Sequence, residues 1–158
     1  MGILTMRIEK REDEIKAAYW NRFAQLHPVS EYFVTQHQDV RKSGYPDNML
    51  HGYGHSTSWE FKHATPNFSS PGIQELTCLR LAQRSYCRYV IFYECRELLR
   101  TLIIHPRQLQ GKGGKIIGVS FEVAFDGFAF DELAKFMHII HVGKTMEQAS
   151  SVFAAEQQ

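Results

Sequence analysis

Met49-Leu50-His51-Gly52-Tyr53-Gly54-His55-Ser56-Thr57-Ser58-Trp59-Glu60-Phe61-Lys62 is the stretch on which the fold turns. Thr57 to Lys62 mixes β-branched and aromatic residues and reads as a strand, with a shorter one around Met49-Leu50. Gly52-Tyr53-Gly54 between them supplies the permissive backbone that a hairpin needs. Side chains alternate along a strand, so Glu60 and Lys62 share one face and Phe61 points the other way, toward a core. The same hairpin carries Asp47, just ahead of the first strand, to the side of Glu60. Two carboxylates and one amine are thereby expected on one surface.

Upstream, Glu12 to Leu26 places Ile15, Tyr19, Phe23 and Leu26 at helical spacing. Pro28 ends that helix. Glu31 to His37 has strand character, and Lys42-Ser43-Gly44-Tyr45-Pro46 reads as a turn. Downstream, Ser70 and Pro71 have the chemistry of a helix start, as cap and first-turn residue, for a helix running to about Tyr86. Arg88 to Tyr93 is the strongest strand, with Leu99 to Ile104 as its hairpin partner. A glycine-rich loop, Gln110 to Lys115, precedes a strand expected over Ile116 to Ala124. Two helices are expected near Phe130–Ile140 and Met146–Ala155. Phe33, Tyr89, Phe92 and Tyr93 read as core strand residues. This order implies an α/β fold, a mixed central sheet flanked by helices. With no repeat or linker, residues 1–158 read as one domain, its core at about 12–104 and 116–155 packed on it.

The composition excludes several classes. The chain has 44% apolar and 22% charged residues, an ordinary globular balance, and a formal charge of +1. Any nucleic-acid surface is therefore a local patch and not a general basic coat. No run of eighteen apolar residues is present, so no membrane helix is expected. The first residues lack the pattern of a signal peptide, and Gly2 lacks the context for myristoylation. Cys78, Cys87 and Cys95 are an odd number with spacings unlike zinc knuckles, which reads as free thiols in a reducing, intracellular (cytoplasmic) setting.

The expected Asp47–Glu60–Lys62 surface has a chemical logic. Carboxylate oxygens are the hard ligands Mg²⁺ prefers, and they leave positions for water and a phosphate. A bound metal lowers the pKa of its water and offsets charge on phosphorus. Lys62 would orient that water or hold phosphate; beside two carboxylates its ammonium form is favoured, so a base role is the weaker reading. The plainer alternative is a same-face Glu–Lys pair on a surface strand, worth under about 1 kcal/mol.

Gly44-Tyr45-Pro46-Asp47, Trp59-Glu60-Phe61-Lys62 and Ser69-Ser70-Pro71-Gly72-Ile73-Gln74 together resemble the PD-(D/E)xK nuclease superfamily. They are most similar to its virus-type replication–repair nuclease domain and its Holliday-junction-resolvase-like members. The resemblance spans about Glu12 to Ile104. It implies a restriction-endonuclease-like core, a Mg²⁺ or Mn²⁺ cofactor and hydrolysis of DNA phosphodiesters, with branched or replication/repair intermediates as candidate substrates. Asp47 and Glu60 match the metal-binding acids, Lys62 the catalytic lysine, the Phe61 carbonyl a further metal ligand and Gln74 the helix glutamine near the site. The family also draws a glutamate from its first helix. Glu12 shares the stripe of Ile15, Tyr19 and Phe23, whereas Glu14 lies opposite, so Glu12 is the candidate. Its alternative reading is a first-turn glutamate complementing the helix dipole. The chain departs from the family in the polar run His55-Ser56-Thr57-Ser58 before Trp59, where the family strand is apolar. Resemblance to resolvases admits a homodimer.

Lys42, Arg80, Arg84, Lys112 and Lys115, with Arg41, are candidate phosphate contacts, or else ordinary solvated charge. Gly111-Lys112-Gly113-Gly114-Lys115 lacks the spacing of a P-loop. His51, His55 and His63 fall near the expected site; Gly52 and Gly54 disfavour a helical zinc pair of the first two, leaving proton transfer or a phosphate contact. Two further functions stay open: a nucleic-acid-binding module of the same fold that does not hydrolyse, and a structural subunit or inhibitor.

Overall fold

The computed structural model describes residues 3–28, 30–36 and 46–156, with side chains described for those between 11 and 143. The elements are α1 (Ile3–Leu26), β1 (Phe33–Gln36), β2 (Asn48–Gly52), β3 (His55–Ala64), α2 (Gly72–Arg84), β4 (Cys87–Cys95), β5 (Leu98–Ile104), α3 (Pro106–Leu109), β6 (Val123–Asp126) and α4 (Phe130–Glu156). The six strands form one sheet in sequence order. Every neighbouring pair is antiparallel except β3–β4, where α2 makes the crossover a parallel pair requires. The sheet is therefore mixed and flanked by helices.

The β2–β3 hairpin closes on Tyr53 and Gly54, at φ 53° and 83°. Positive φ at both central residues matches the twist of the strands they join, and this short loop sets the register. Asn48 faces Trp59, Leu50 faces Thr57, and Asp47 therefore emerges next to Glu60.

Alternation along β3 and β4 divides the core into two layers. On one face Trp59, Phe61, Val90 and Phe92 meet Ile15, Tyr19, Trp20 and Phe23 of α1 and Leu133 and Met137 of α4. Phe61 is wholly buried there, stacked on Trp20 with ring centroids 5.5 Å apart and met edge-on by Tyr19 and Phe92. Burial of such a ring contributes roughly 1.5–3 kcal/mol. On the opposite face Ala64, Tyr89, Ile91, Leu102 and Ile104 are covered by Phe68, Cys78 and Leu109 from α2, α3 and their approaches.

The second half of the polar run before Glu60 is buried despite its composition, with Thr57 and Ser58 at most 1% exposed, while His55 and Ser56 are partly exposed. Its polar groups find partners within the fold. Thr57 Oγ1 lies 2.9 Å from His141 Nδ1 and accepts a 2.9 Å bond from Trp59 Nε1. Asn48 accepts from Trp20 Nε1 and donates to the Trp59 carbonyl. Buried polar groups persist where they are paired in this way.

Several expectations are corrected. α1 begins at Ile3, well before Glu12. Ser70 does not cap α2; its hydroxyl donates to Glu75 Oε1, Pro71 stands at the N-cap, and the helix ends at Arg84. The strand that pairs with β5 is Val123–Asp126, so it shares only Val123 and Ala124 with the expected 116–124 strand. Gly118, at φ 79°, and the Val119–Ile116 turn bond interrupt the segment before it. The two C-terminal helices are one, because nothing between Ile140 and Met146 stops a helix and Gly143 is tolerated inside it. Phe33 is 62% exposed on the edge strand and Tyr93 is only half-buried, so neither is a core residue. The Lys42–Tyr45 part of the expected turn, with Arg41, lies outside the described residues.

Candidate active site

Midway along β3, on the face covered by α2, Glu60 stands as a fully buried carboxyl group. The hairpin register delivers its first partner: the Asp47 amide N–H donates to Glu60 Oε2 at 2.8 Å. The second comes from the first turn of α2, where Gln74 Nε2 donates to Oε1 at 2.9 Å. The third follows from strand alternation, with the Lys62 ammonium 3.4 Å from the same oxygen. α1 passes over this corner and adds two residues one turn apart. Lys16 Nζ lies 3.5 Å from Asp47 Oδ2, and Glu12 Oε1 accepts the His63 backbone N–H at 3.0 Å.

Glu12, Asp47, Glu60, Lys62 and Gln74, proposed from sequence as one constellation, are thus brought to one place. Glu12 is in the third turn of α1, which removes the reading as a first-turn dipole partner. Glu14 is exposed, as helical phase implied. The Phe61 side chain belongs to the opposite core layer, so only its backbone, opposite Val90 in the β3–β4 ladder, lies between the two site residues.

Lys16 is the residue that sequence reading missed. It is 8% exposed, and its signal was present: Glu12, Lys16 and Trp20 follow one another at four-residue steps along the buried side of α1. His63 was noted, but its side chain faces Glu94, with Nε2 and Oε2 2.9 Å apart, and only its backbone serves Glu12. His51 and His55 lie at the turn end of the hairpin, where His51 bonds Thr35 and Ser56 and His55 stacks on His141.

Fully ionised, three carboxylates would face two ammonium groups at this corner, and the protein lessens that excess of negative charge by holding protons on its buried acids more tightly. Burial pushes the Glu60 carboxyl well above its usual range, Asp47 adds a like-charge push, and Lys62 pulls it back. Burial raises Glu12 as well, opposed by Lys62 and by the bond from His63. Gln74 Oε1 is buried beside them with no hydrogen-bond partner among the described residues.

Of the candidate phosphate contacts, Arg80 and Arg84 are exposed on α2, and Arg84 is ten residues, about 15 Å, along the helix from Gln74. Lys112 and Lys115 are exposed on a loop tied to the start of α2 by the Gly111 N–H bond to Glu75 Oε2, 3.2 Å. Lys42 lies outside the described residues. All three cysteines are free thiols. No described helix is long and apolar enough to cross a membrane.

No protein-family model matches the chain, and no curated protein matches it. The oxygen atoms of the corner suit a hard divalent cation: two mutually repelling carboxylates, a third from α1, and the unpartnered oxygen of Gln74. As they stand both oxygens of Glu60 are taken by donors, and the three acids do not form a closed ligand set. The set of three described donors already within 4.8 Å of one another lies elsewhere, at His27, Glu31 and His138. A cation at the acidic corner would displace Lys62 or the Gln74 amide from Glu60, and Gln74 can answer by turning its oxygen inward.

Proposed function

We propose that the protein is a Mg²⁺- or Mn²⁺-dependent deoxyribonuclease with a restriction-endonuclease-like core, acting on DNA that includes branched or replication/repair intermediates. The observation that carries this reading is the meeting of Asp47, Glu60, Lys62 and Gln74 on one buried corner, with Glu12 and Lys16 arriving from α1. Asp47, Glu60 and Glu12, with the Phe61 carbonyl, would hold the cation. When bound, such a cation lowers the pKa of a water and offsets phosphate charge. The remaining work belongs to the side chains. Gln74 and the Asp47 amide fix the Glu60 carboxylate in one orientation. Lys62 places a positive charge where a scissile phosphate would sit beside Glu60, and orients the attacking water. Lys16 balances Asp47 and adds a second positive charge at the same edge. Lys112 and Lys115 next to α2 would meet the backbone of the substrate.

Incubating the purified chain with plasmid, single-stranded and junction DNA, with Mg²⁺ and with Mn²⁺, tests the proposal. Metal-dependent cleavage reduced about 10²–10³-fold by Lys62→Ala is expected; no cleavage of any substrate, or full activity in that variant, would sink it. A second reading draws on the filled hydrogen-bonding of Glu60, which suits a DNA-binding module that does not hydrolyse. It predicts salt-sensitive DNA binding that survives Asp47→Ala and no metal-dependent cleavage.

A further inference from the structure

Three donor groups meet at the far end of α1, away from the acidic corner. His27 follows the last residue of α1 and keeps its N–H bonded to the Phe23 carbonyl. The turn after it returns Glu31, whose Oε2 is 3.5 Å from His27 Nδ1. His138, in the third turn of α4, stacks its ring on that of His27, with centroids 4.6 Å apart and an interplanar angle of 21°. One donor atom from each residue lies within 4.8 Å of the other two, in segments far apart in sequence. Lys16 and His27 are eleven residues apart, about 16 Å along α1, so this group is separate from the proposed nuclease site.

We propose that His27, Glu31 and His138 form a metal site for a borderline divalent transition ion of the Zn²⁺ class. Two imidazoles and one carboxylate are the donors such ions select, in contrast to the all-oxygen set at the acidic corner. Donors about 2.1 Å from a tetrahedral ion stand about 3.4 Å apart. His27 and Glu31 already stand at that spacing, and the remaining separations, within 4.8 Å, close by up to about 1.4 Å through rotamer changes in three side chains that are not fully buried. The site also has a supporting partner. Tyr32 OH lies 2.7 Å from His138 Nδ1, which fixes that ring and leaves Nε2 for a metal, the arrangement that commonly orients a ligating histidine. Tyr32 is itself held in the core, at 4% exposure. His27 also lines a half-open, largely apolar hollow of about 330 Å³ with Trp20, Phe23, Tyr32, Phe33 and Val34. An ion here would clasp the end of α1 and the turn behind it to α4, with a fourth position left to solvent.

The test is Zn²⁺ titration by calorimetry, with Co²⁺ as a spectroscopic stand-in, on the full chain and on His27→Ala, Glu31→Gln, Tyr32→Phe and Asp47→Asn, each checked for native circular dichroism. One Zn²⁺ per chain is expected in the parent and in Asp47→Asn. Binding is expected to be lost in His27→Ala and to weaken about ten- to hundredfold in Tyr32→Phe, the usual effect of removing a ligand's orienting partner. Glu31→Gln, at a half-exposed position, is expected to weaken binding too. Co²⁺ should give a visible spectrum of nitrogen–oxygen type. Absence of Zn²⁺ binding by the parent chain, equal affinity in His27→Ala and Glu31→Gln, or thiolate charge-transfer bands pointing to the cysteines would each overturn the proposal.

Discussion

Glu60→Gln separates the energetic cost of the acidic corner from its use. The groups that reach the Glu60 carboxyl are all donors, and burial together with Asp47 holds its folded pKa well above the usual carboxylate range. A folded pKa above the unfolded one means that the folded chain binds this proton more tightly. The stability so conferred is fully present below the unfolded value of about 4.3, and is lost as pH rises toward the folded pKa. Each unit between the two values removes about 1.4 kcal/mol. A glutamine at position 60 carries no charge at any pH, and Gln74 can turn its unpartnered Oε1 toward the new amide. In EDTA at neutral pH, Glu60→Gln is therefore expected to be at least as stable as the parent, its advantage vanishing as acid protonates Glu60. Mg²⁺ should reverse the order. A cation at a hundred times its Kd stabilises the folded state by about 2.7 kcal/mol, which for a chain of this size is about 5–10 °C in Tm. The variant should gain little of this and should not cleave DNA. Thermal unfolding of both proteins across pH, in EDTA and in Mg²⁺, reads all of these effects. A variant less stable than the parent at every pH in EDTA, or an equal Mg²⁺ shift in both, would refute the reasoning.

Lys62→Ala should lower kcat/KM for DNA cleavage by about 10²–10³, the usual effect of removing one charged donor from a reacting centre, and Lys62→Arg should not restore it, since a planar fork replaces a point charge. Single-turnover cleavage measures both. Lys16→Met should weaken DNA binding and reduce the slope of log affinity against log salt by about one, read by fluorescence anisotropy in Ca²⁺; an unchanged slope would place Lys16 outside the DNA contact. Gly114→Ala should destabilise the fold by about 1–3 kcal/mol, because the added Cβ would stand 1.9 Å from the Phe68 carbonyl oxygen at a φ of +81°. Urea unfolding checks this, and a neutral result would show that the loop shifts freely.

Much of the acidic corner was legible because strands and helices have fixed periods. Period two put Glu60 and Lys62 on one face and Phe61 on the other, and a hairpin of known sense set Asp47 against Glu60. Period 3.6 chose Glu12 over Glu14. These are local rules, and neighbouring residues suffice to apply them. Other features depend on what packs from afar. The burial of Thr57 and Ser58 contradicts their polarity, and follows only when His141 of α4, Trp59 and the adjoining strands satisfy them. The exposure of Phe33 follows from β1 being the edge strand. Ser70 had the right chemistry for a cap, but Glu75 competed for its hydroxyl. Lys16 was passed over because its partner, Asp47, lies thirty-one positions away. His27, Glu31 and His138 were invisible as a group for the same reason: two of them stand on one turn, the third a hundred residues on, and only the docking of α4 against α1 makes them neighbours. The sequence by itself therefore determined the α/β pattern, the shared face of Glu60 and Lys62 and the phase of Glu12 through periodicities each segment carries alone, while Gln74 came from the family resemblance. The tertiary structure decided burial, the charge balance set by Lys16 and the histidine group, because each depends on contacts between segments that no local period encodes.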